Sequence, residues 1–244
     1  MIPLIVLGVA VAMIVAEMLV PGRKWPKVAT WWLRALFLNG VQLGVAYLSA
    51  LAWDPFMAER RLWSADALGV TGGAVVGYLA ITFIYYWWHR ARHHFNFLWR
   101  WFHQVHHSPQ RIEIITSFYK HPIEILSNGV LSSSIAYLLV GLSPEVALYA
   151  VLLTGLAELF YHWNVSTPWW LGFIIQRPES HCVHHQADLH AYNYGDLPIY
   201  DILFGTFRNP KKWEEQCGFG DKEHQLARML AAVDVYASDS PESQ

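Results

Sequence analysis

The chain has 244 residues, of which 54% are hydrophobic and only 15% are charged, and its mean hydropathy is positive. This balance, together with 13 Trp and 12 Tyr that favour the water boundary of a bilayer, indicates a membrane protein rather than a soluble domain. A formal net charge of −2 and scattered basic residues provide no field that would attract nucleic acid, which excludes that class of partner.

Five apolar segments are each about long enough to cross a bilayer as a helix, which takes about 20 residues. They cover residues 2–20, 31–53, 67–88, 123–142 and 146–163. The first predicts a membrane helix rather than a signal peptide, because no basic residue precedes it and no small-residue cleavage site follows it. The last two are joined by the short sequence GLSPE and predict a hairpin that either spans or re-enters the membrane. We therefore expect an all-α integral membrane bundle with four or five membrane helices.

Lysine and arginine are concentrated after the first and third apolar segments, and such an excess marks the cytoplasmic side of a membrane. This bias places residues 21–27, 89–120 and everything after 163 in the cytoplasm. We expect a multi-pass protein of a bacterial inner membrane, with a cytosolic helical cap that carries the active site. Residues 1–210 are predicted to form one domain, with its motif-bearing core at 67–210. The remainder, 211–244, is predicted to be a polar extension with a disordered end.

Histidines cluster in a repeated motif, HQVHH at 103–107 and HCVHH at 181–185. Residues three and four apart share a face of a helix, so each quintet is expected to aim its three imidazoles at one point. His89 and His93, four residues apart at the end of the third apolar segment, share a face in the same way. Crowded imidazoles without a cation would lose hydration and gain no compensating bond, so these eight histidines predict metal binding.

The last apolar segment carries Glu158 and His162, again four residues apart, and an ionisable residue this deep in an apolar segment is a functional candidate. With the eight clustered histidines, this pair exceeds the four ligands of a tetrahedral site and predicts two metals. Imidazole suits iron, zinc, copper and nickel, so the residue types do not select the metal. Ordinary packed or hydrogen-bonded roles are predicted for the isolated residues His94, His190, His224 and Cys182.

The ordered motifs resemble those of the fatty acid hydroxylase/sterol desaturase superfamily of integral-membrane di-iron enzymes, and the resemblance covers residues 67–210. The matching pieces are HRARH (89–93), HQVHH (103–107), KHPIE (120–124), HWN (162–164), HCVHH (181–185) and NYGDLPIYDILFGTF (193–207). Each motif alone is moderate evidence, whereas the ordered combination is specific.

The resemblance implies nine metal-binding histidines: His89, His93, His103, His106, His107, His162, His181, His184 and His185. Glu158 is not part of it, because other members place His or Asn there, and it remains an inference from helical spacing. His121 belongs to the family's HP motif and is expected to line the site, with a direct role as a ligand left open. Four residues of the last motif are expected to hold the cap against the core: Asn193, Tyr194, Gly195 and Asp201.

The activity that the resemblance implies is hydroxylation or mono-oxygenation of a sterol, fatty acyl or other lipid. The implied cofactors are two iron ions, O₂ and electrons from a separate reductase, cytochrome b5-like or ferredoxin-like donor; zinc or another metal also fits the ligands in a purified sample. A lipid desaturase with the same di-iron centre is the nearest alternative. A metal transporter or storage protein is disfavoured, because transport needs ionisable residues through the membrane thickness, whereas these histidines cluster at one edge. A structural metal site, which closes with four ligands and often uses thiolates, fits less well still.

Overall fold

The computed structural model describes residues 2–236 and confirms the predicted all-α class. Within that range the regular structure is helical, and the one extended contact is an isolated bridge between Gln186 and Cys217. The α-helices are α1 (Ile2–Leu19), α2 (Trp31–Leu51), α3 (Trp53–Ala58), α4 (Gly69–His94), α5 (Asn96–Leu98), α6 (Gln104–His107), α7 (Pro122–Ser133), α8 (Pro144–Tyr161), α9 (Pro178–His184), α10 (Pro198–Leu203) and α11 (Leu226–Leu230). Helices α7 to α10 each begin with proline, whose fixed φ and missing N–H suit the first helical position.

Among the described residues, two helices are long and apolar enough to cross a membrane: the stretch Asp66–His94, which includes α4, and α8. They coincide with the third and fifth predicted segments. The first and second segments form α1 and α2, and the fourth forms α7 followed by a π-helical stretch at Ser134–Leu139. Four or five membrane helices, and a cytosolic position for the residues after α8, therefore stay predictions.

Helices α4 and α8 approach closely because α4 carries glycine where they meet. A Cβ on Gly73 would lie 2.7 Å from Val146 Cγ1 of α8. One turn later, a Cβ on Gly77 would lie 2.6 Å from Leu142 Cδ1. Glycines four residues apart let two helix backbones approach, a common arrangement in membranes. This contact brings together the two helices whose carboxyl-terminal ends carry predicted metal ligands.

Large apolar side chains remain exposed on the outer faces of the long helices. Leu33 and Leu43 on α2 are more than two-thirds exposed, and Val75 and Leu79 on α4 are nearly half exposed. A soluble monomer rarely exposes extended apolar faces, so these surfaces fit lipid surroundings.

Buried carboxylates tie the amino-terminal helices to the loops near the histidines. Glu17, near the end of α1, accepts hydrogen bonds from the backbone N–H groups of Ile114 and Asn164, both at 3.1 Å. At the start of α2, Trp31 Nε1 donates to Glu113 at 2.6 Å. The polar interruption of the first apolar segment is thus satisfied by backbone donors, as burial of a carboxylate requires.

The first turns of α2 also pack against residues 219–235. Trp31, Ala35 and Leu38 share a buried cluster with Val105, Tyr119, Phe219, Met229 and Val235. Residues 219–235 therefore contribute to the core that lies under the HQVHH motif. The end predicted to be disordered, residues 237–244, lies outside the described residues.

Candidate metal centre

Nine histidines converge in two groups that could each hold a metal ion. In each group the candidate ligand atoms all lie within 4.8 Å of one another. The five-histidine group contains His89, His93, His103, His107 and His184. The four-histidine group contains His106, His162, His181 and His185. These are the nine histidines that the sequence proposes as ligands, and the structure brings all of them together.

The two quintets are divided between the groups, which differs from the expectation that each aims at one point. His103 and His107 lie in the five-histidine group, whereas His106 lies in the other. In HCVHH the arrangement is reversed, since His181 and His185 share the four-histidine group and the middle histidine, His184, crosses over. In each quintet the two histidines four residues apart share a group. HQVHH also spans the junction between a π-helical stretch, Trp99–His103, and α6, so regular α-helical angles do not hold across it. Each motif therefore reaches both groups.

The two groups are direct neighbours. The rings of His107 and His185, one from each group, stack with centroids 4.3 Å apart. The rings of His181 and His184, again from different groups, lie 5.2 Å apart. Ions held by the two groups would be adjacent, which fits a dinuclear centre better than two independent sites.

Hydrogen bonds from the outer ring nitrogens determine what the histidines present to the interior. His89 Nδ1 lies 2.8 Å from the Tyr194 carbonyl oxygen, and His184 Nδ1 lies 2.7 Å from that of Tyr192. A carbonyl only accepts, so each Nδ1 carries the proton and each Nε2 presents a lone pair. Both Nε2 atoms are buried and have no hydrogen-bond partner within the described residues. A cation would satisfy these orphaned lone pairs, and an outer acceptor of this kind is usual behind metal-bound histidine.

The same pattern recurs in the four-histidine group. His162 donates Nδ1–H to the Glu158 carbonyl oxygen at 2.9 Å, while its Nε2 lies 3.1 Å from His181 Nε2. His185 Nε2 lies 3.0 Å from the same His181 atom. Three ring nitrogens that face one another at this distance fit a shared cation, because a single imidazole proton cannot satisfy all three.

Burial keeps these imidazoles neutral, which is the form that binds metal. Desolvation lowers the pKa of His184 to about 3, and it lowers the pKa values of His106 and His185 well below the usual range. At neutral pH the groups therefore present uncharged nitrogen donors.

A buried carboxylate stands behind the five-histidine group. Glu124 of the KHPIE motif is fully buried and accepts from His103 Nδ1 at 3.1 Å. The same oxygen contacts the guanidinium of Arg92, which lies on α4. This ion pair positions the His103 ring and links α7 to α4. The sequence pointed to KHPIE as a motif but assigned no role to its glutamate.

His190 is packed and hydrogen-bonded, as the sequence predicts, but its partner, a histidine of the five-histidine group, was not anticipated. Its Nδ1 lies 3.1 Å from His107 Nδ1, so one ring donates to the other, and its own Nε2 is buried without a hydrogen-bond partner within residues 2–236. It is 8% exposed and packs on the rings of Trp99 and Phe219. No helical spacing relates it to the quintets, because it lies in a loop with φ +42°, and the sequence therefore offered no signal.

The loop from 188 to 196 is built to present carbonyl oxygens to the histidines. Asp188, His190, Tyr192 and Asn193 all have positive φ, which costs of order 1 kcal/mol for each such residue. Asn193 Nδ2 compensates by donating to the carbonyl oxygens of Ser180 and Arg208. The Asp201 carboxylate accepts hydrogen bonds from the backbone N–H groups of Tyr194 and Gly195, which follow Asn193 in this loop, and from Thr206 Oγ1. Asn193 and Asp201, both in the NYGDLPIYDILFGTF motif, thus hold this loop between α9 and α10.

Two weaker candidates lie outside both groups. The Glu158 carboxylate pairs with Lys120, and only its backbone oxygen reaches a histidine of the four-histidine group. His121 caps α7, since its Nδ1 accepts from the Ile123 N–H at 3.0 Å and its Nε2 lies 3.2 Å from the Leu230 carbonyl oxygen. With both of its ring nitrogens engaged, His121 has no nitrogen left for a metal. Two isolated histidines, His94 and His224, are exposed and belong to neither group.

Comparisons with known proteins agree with this arrangement. Residues 74–206 match the family model described as fatty acid hydroxylase. The chain is 36% identical over 186 residues to an ornithine lipid hydroxylase from Rhizobium tropici, covering 71% of this chain and 55% of that protein. It is 31% identical over 181 residues to an alkylglycerol monooxygenase from Homo sapiens (72% and 38%). It is 29% identical over 186 residues to a very-long-chain aldehyde decarbonylase from Oryza sativa subsp. indica (72% and 29%).

The matched region is only a part of these relatives. The chain spans between 29% and 55% of their lengths. No solved structure matches the chain.

Proposed function

The chain belongs to the fatty acid hydroxylase family, and from that premise we propose that it is a membrane-bound di-iron oxygenase that hydroxylates a C–H bond of a lipid. The observation that carries the proposal is the pair of adjacent histidine groups with buried, unsatisfied lone pairs. Two of the three relatives described above are named as a monooxygenase and a hydroxylase, which supports oxygen insertion as the reaction. Residues 1–210 would form the domain that performs it.

The donor set fits two irons. All nine proposed ligands are neutral imidazoles, which suit iron and leave most of the metal charge uncompensated. Bound iron would supply the oxidising chemistry, in which O₂, two electrons and two protons convert the C–H bond to C–OH and release one water. A separate reductase, cytochrome b5-like or ferredoxin-like protein would donate the electrons.

The chain's own residues orient the ligands and keep water out. Backbone carbonyl oxygens of Tyr192 and Tyr194 hold two rings in the tautomer that faces inward, and Glu124 holds a third. Most of the ligand histidines are fully buried, which excludes bulk water from the reacting centre.

The position of the histidines suits a lipid substrate. They lie in the last turns of α4 or after the ends of α4 and α8, the two helices of the described residues that are long and apolar enough to span a membrane. A lipid could then reach the centre from the bilayer, while the electron donor approaches from the aqueous side. We place that side in the cytoplasm of a bacterial inner membrane, as the distribution of lysine and arginine favours.

Anaerobic loading with Fe(II), followed by O₂, a reductant and lipid, tests the proposal. The lipid panel should include an alkylglycerol and an ornithine lipid, the classes that the names of two relatives suggest. We expect about two irons per chain by elemental analysis and a product heavier by one oxygen by mass spectrometry. A product lighter by two hydrogens would instead identify a desaturase.

Matched histidine variants separate a metal role from a general loss of folding. His106→Ala and His184→Ala each remove one member of a different group, and each should lower both iron content and turnover. His224→Ala removes an exposed histidine and should change neither. Equal effects of all three variants, or a parent chain that binds no iron, would refute the di-iron assignment.

A further inference from the structure

Helix α10 has an inverted polarity. Asp201 is fully buried and Tyr200 is 9% exposed, whereas Ile199, Ile202 and Leu203 are 47%, 43% and 67% exposed. The three apolar residues occupy positions i, i+3 and i+4, so they share one face of the helix. A surface helix in water normally places its apolar face inward and its polar face outward. In α10 the exposed face is apolar, whereas the buried face carries Asp201 and Tyr200 beside Pro198.

The inward polarity is fully satisfied, so it is part of the fold. The Asp201 carboxylate accepts hydrogen bonds from two backbone N–H groups and from the Thr206 hydroxyl. Tyr200 Oη lies 3.2 Å from the Leu79 carbonyl oxygen and 3.3 Å from Thr82 Oγ1, both on α4. These contacts fix the rotation of α10 about its axis and leave the apolar face pointing out.

A neighbouring 3-10 helix extends the apolar surface. The segment Trp169–Phe173 packs against α10. It exposes Trp170 by 59% and Phe173 by 49%, and the following Ile174 is 63% exposed. We call the six residues Ile199, Ile202, Leu203, Trp170, Phe173 and Ile174 the apolar shelf.

The apolar shelf is continuous with a membrane-spanning helix. Phe204, at the end of α10, packs edge-on against Trp87 of α4 with ring centroids 4.7 Å apart. Trp87 is itself 42% exposed and lies inside the stretch Asp66–His94, which is long and apolar enough to span. The outer face of that helix therefore passes into the shelf at its histidine end.

Cations stand at the margin of the apolar shelf. Arg90 follows Trp87 by three residues on α4, and Lys211 Nζ lies 5.7 Å from the ring of Trp169. Exposed aromatic and aliphatic groups with basic residues beside them match the boundary between acyl chains and phosphate headgroups.

We propose that the apolar shelf is embedded in the bilayer interface, so that α10 and the Trp169–Phe173 segment lie in the membrane surface rather than in water. The occupant of this surface is the acyl-headgroup boundary of the lipids around α4. The residues after α8 then include a part that lies in the membrane surface, in contrast to the cytosolic cap that the distribution of lysine and arginine predicts. The assignment concerns where the chain meets the bilayer and is independent of the reaction at the histidines.

Site-specific fluorescence in nanodiscs tests this placement. The full chain, with a single added cysteine carrying bimane, is reconstituted in phosphatidylcholine and phosphatidylglycerol. Quenching by brominated lipid is compared with quenching by acrylamide in water. Leu203→Cys is the test position, and Ile202→Cys replaces it if that variant folds poorly. Cys182 and Cys217 are buried, and the parent chain labelled in parallel sets the background.

Two controls bracket the result. A label at Val76→Cys, exposed on the outer face of α4, gives the quenching expected in lipid. A label at Asp221→Cys, exposed in the carboxyl-terminal region, gives the quenching expected in water. We expect the label at position 203 to be quenched by brominated lipid several-fold more than at 221 and to be shielded from acrylamide. Acrylamide quenching equal to that at 221 would overturn the proposal. Protection from both quenchers together with self-association would also overturn it, because a second copy would then cover the surface.

Discussion

Replacing Glu124 with glutamine should damage the five-histidine group without touching a ligand. The carboxylate is fully buried between the Arg92 guanidinium and His103 Nδ1. Glutamine keeps the size of the side chain but removes the negative charge. Its amide oxygen cannot serve Arg92 and His103 as well as a carboxylate does, so the ring of His103 loses its fixed orientation.

The substitution should lower both the metal affinity and the free energy of unfolding, and separate measurements detect the two effects. Loss of a partner behind a metal-bound histidine typically weakens metal affinity by about 10–100-fold, or about 1.4–2.7 kcal/mol. Separately, the uncompensated charge of the buried Arg92 should destabilise the fold by about 3–5 kcal/mol, with or without metal.

Competition with a chromophoric chelator measures the affinity, and thermal unfolding of metal-free protein measures the stability. Glu113→Gln is the matched control, because Glu113 is also buried and accepts from Trp31 Nε1 and Arg111 rather than from a histidine of either group. We expect the control to lose stability but to keep its metal affinity. If Glu124→Gln bound two metals as tightly as the parent chain, the proposed orienting role would be wrong.

Three further outcomes are expected. His190→Phe keeps an aromatic ring in place but removes a hydrogen bond to the five-histidine group, so chelator competition should show about tenfold weaker metal binding. His224→Phe, at an exposed position, should leave the metal affinity unchanged. Gly77→Ala should destabilise the fold in thermal unfolding by about 1–3 kcal/mol, because the new Cβ would lie 2.6 Å from a neighbouring side chain. Gly44→Ala, with open space around it, should stabilise the fold. The opposite ranking of the two variants would refute the packing argument. Acidification below pH 6.5 should destabilise the metal-free protein in urea titrations, because the unfolded chain gains protons near pH 6.5 whereas burial holds the folded pKa of His184 at about 3. Between these two pKa values each such histidine lowers the free energy of unfolding by about 1.4 kcal/mol per pH unit. A stability that does not change with pH would contradict buried neutral imidazoles.

The exceptions to the sequence predictions have local physical causes. Helical spacing predicted eight of the histidines as ligands and one focus per quintet, but in the structure only the two histidines four residues apart in each quintet share a group. Glu158 met the same spacing test with His162, but its carboxylate is paired with Lys120 from a distant segment. His190 reaches His107 through a loop with left-handed residues, a path that no periodic pattern describes.

The sequence by itself determined the helical class, the apolar segments and eight of the clustered histidines, because all of these depend on composition and on spacing within a few residues. The ninth histidine, His162, followed from the family resemblance. Only the tertiary structure decided how the quintets are shared between two adjacent groups and which carbonyl oxygens orient them. It also decided that α10 turns its apolar face outward. These features depend on contacts between residues up to about 120 positions apart, such as that of Leu79 with Tyr200, and chain folding rather than local periodicity brings such pairs together.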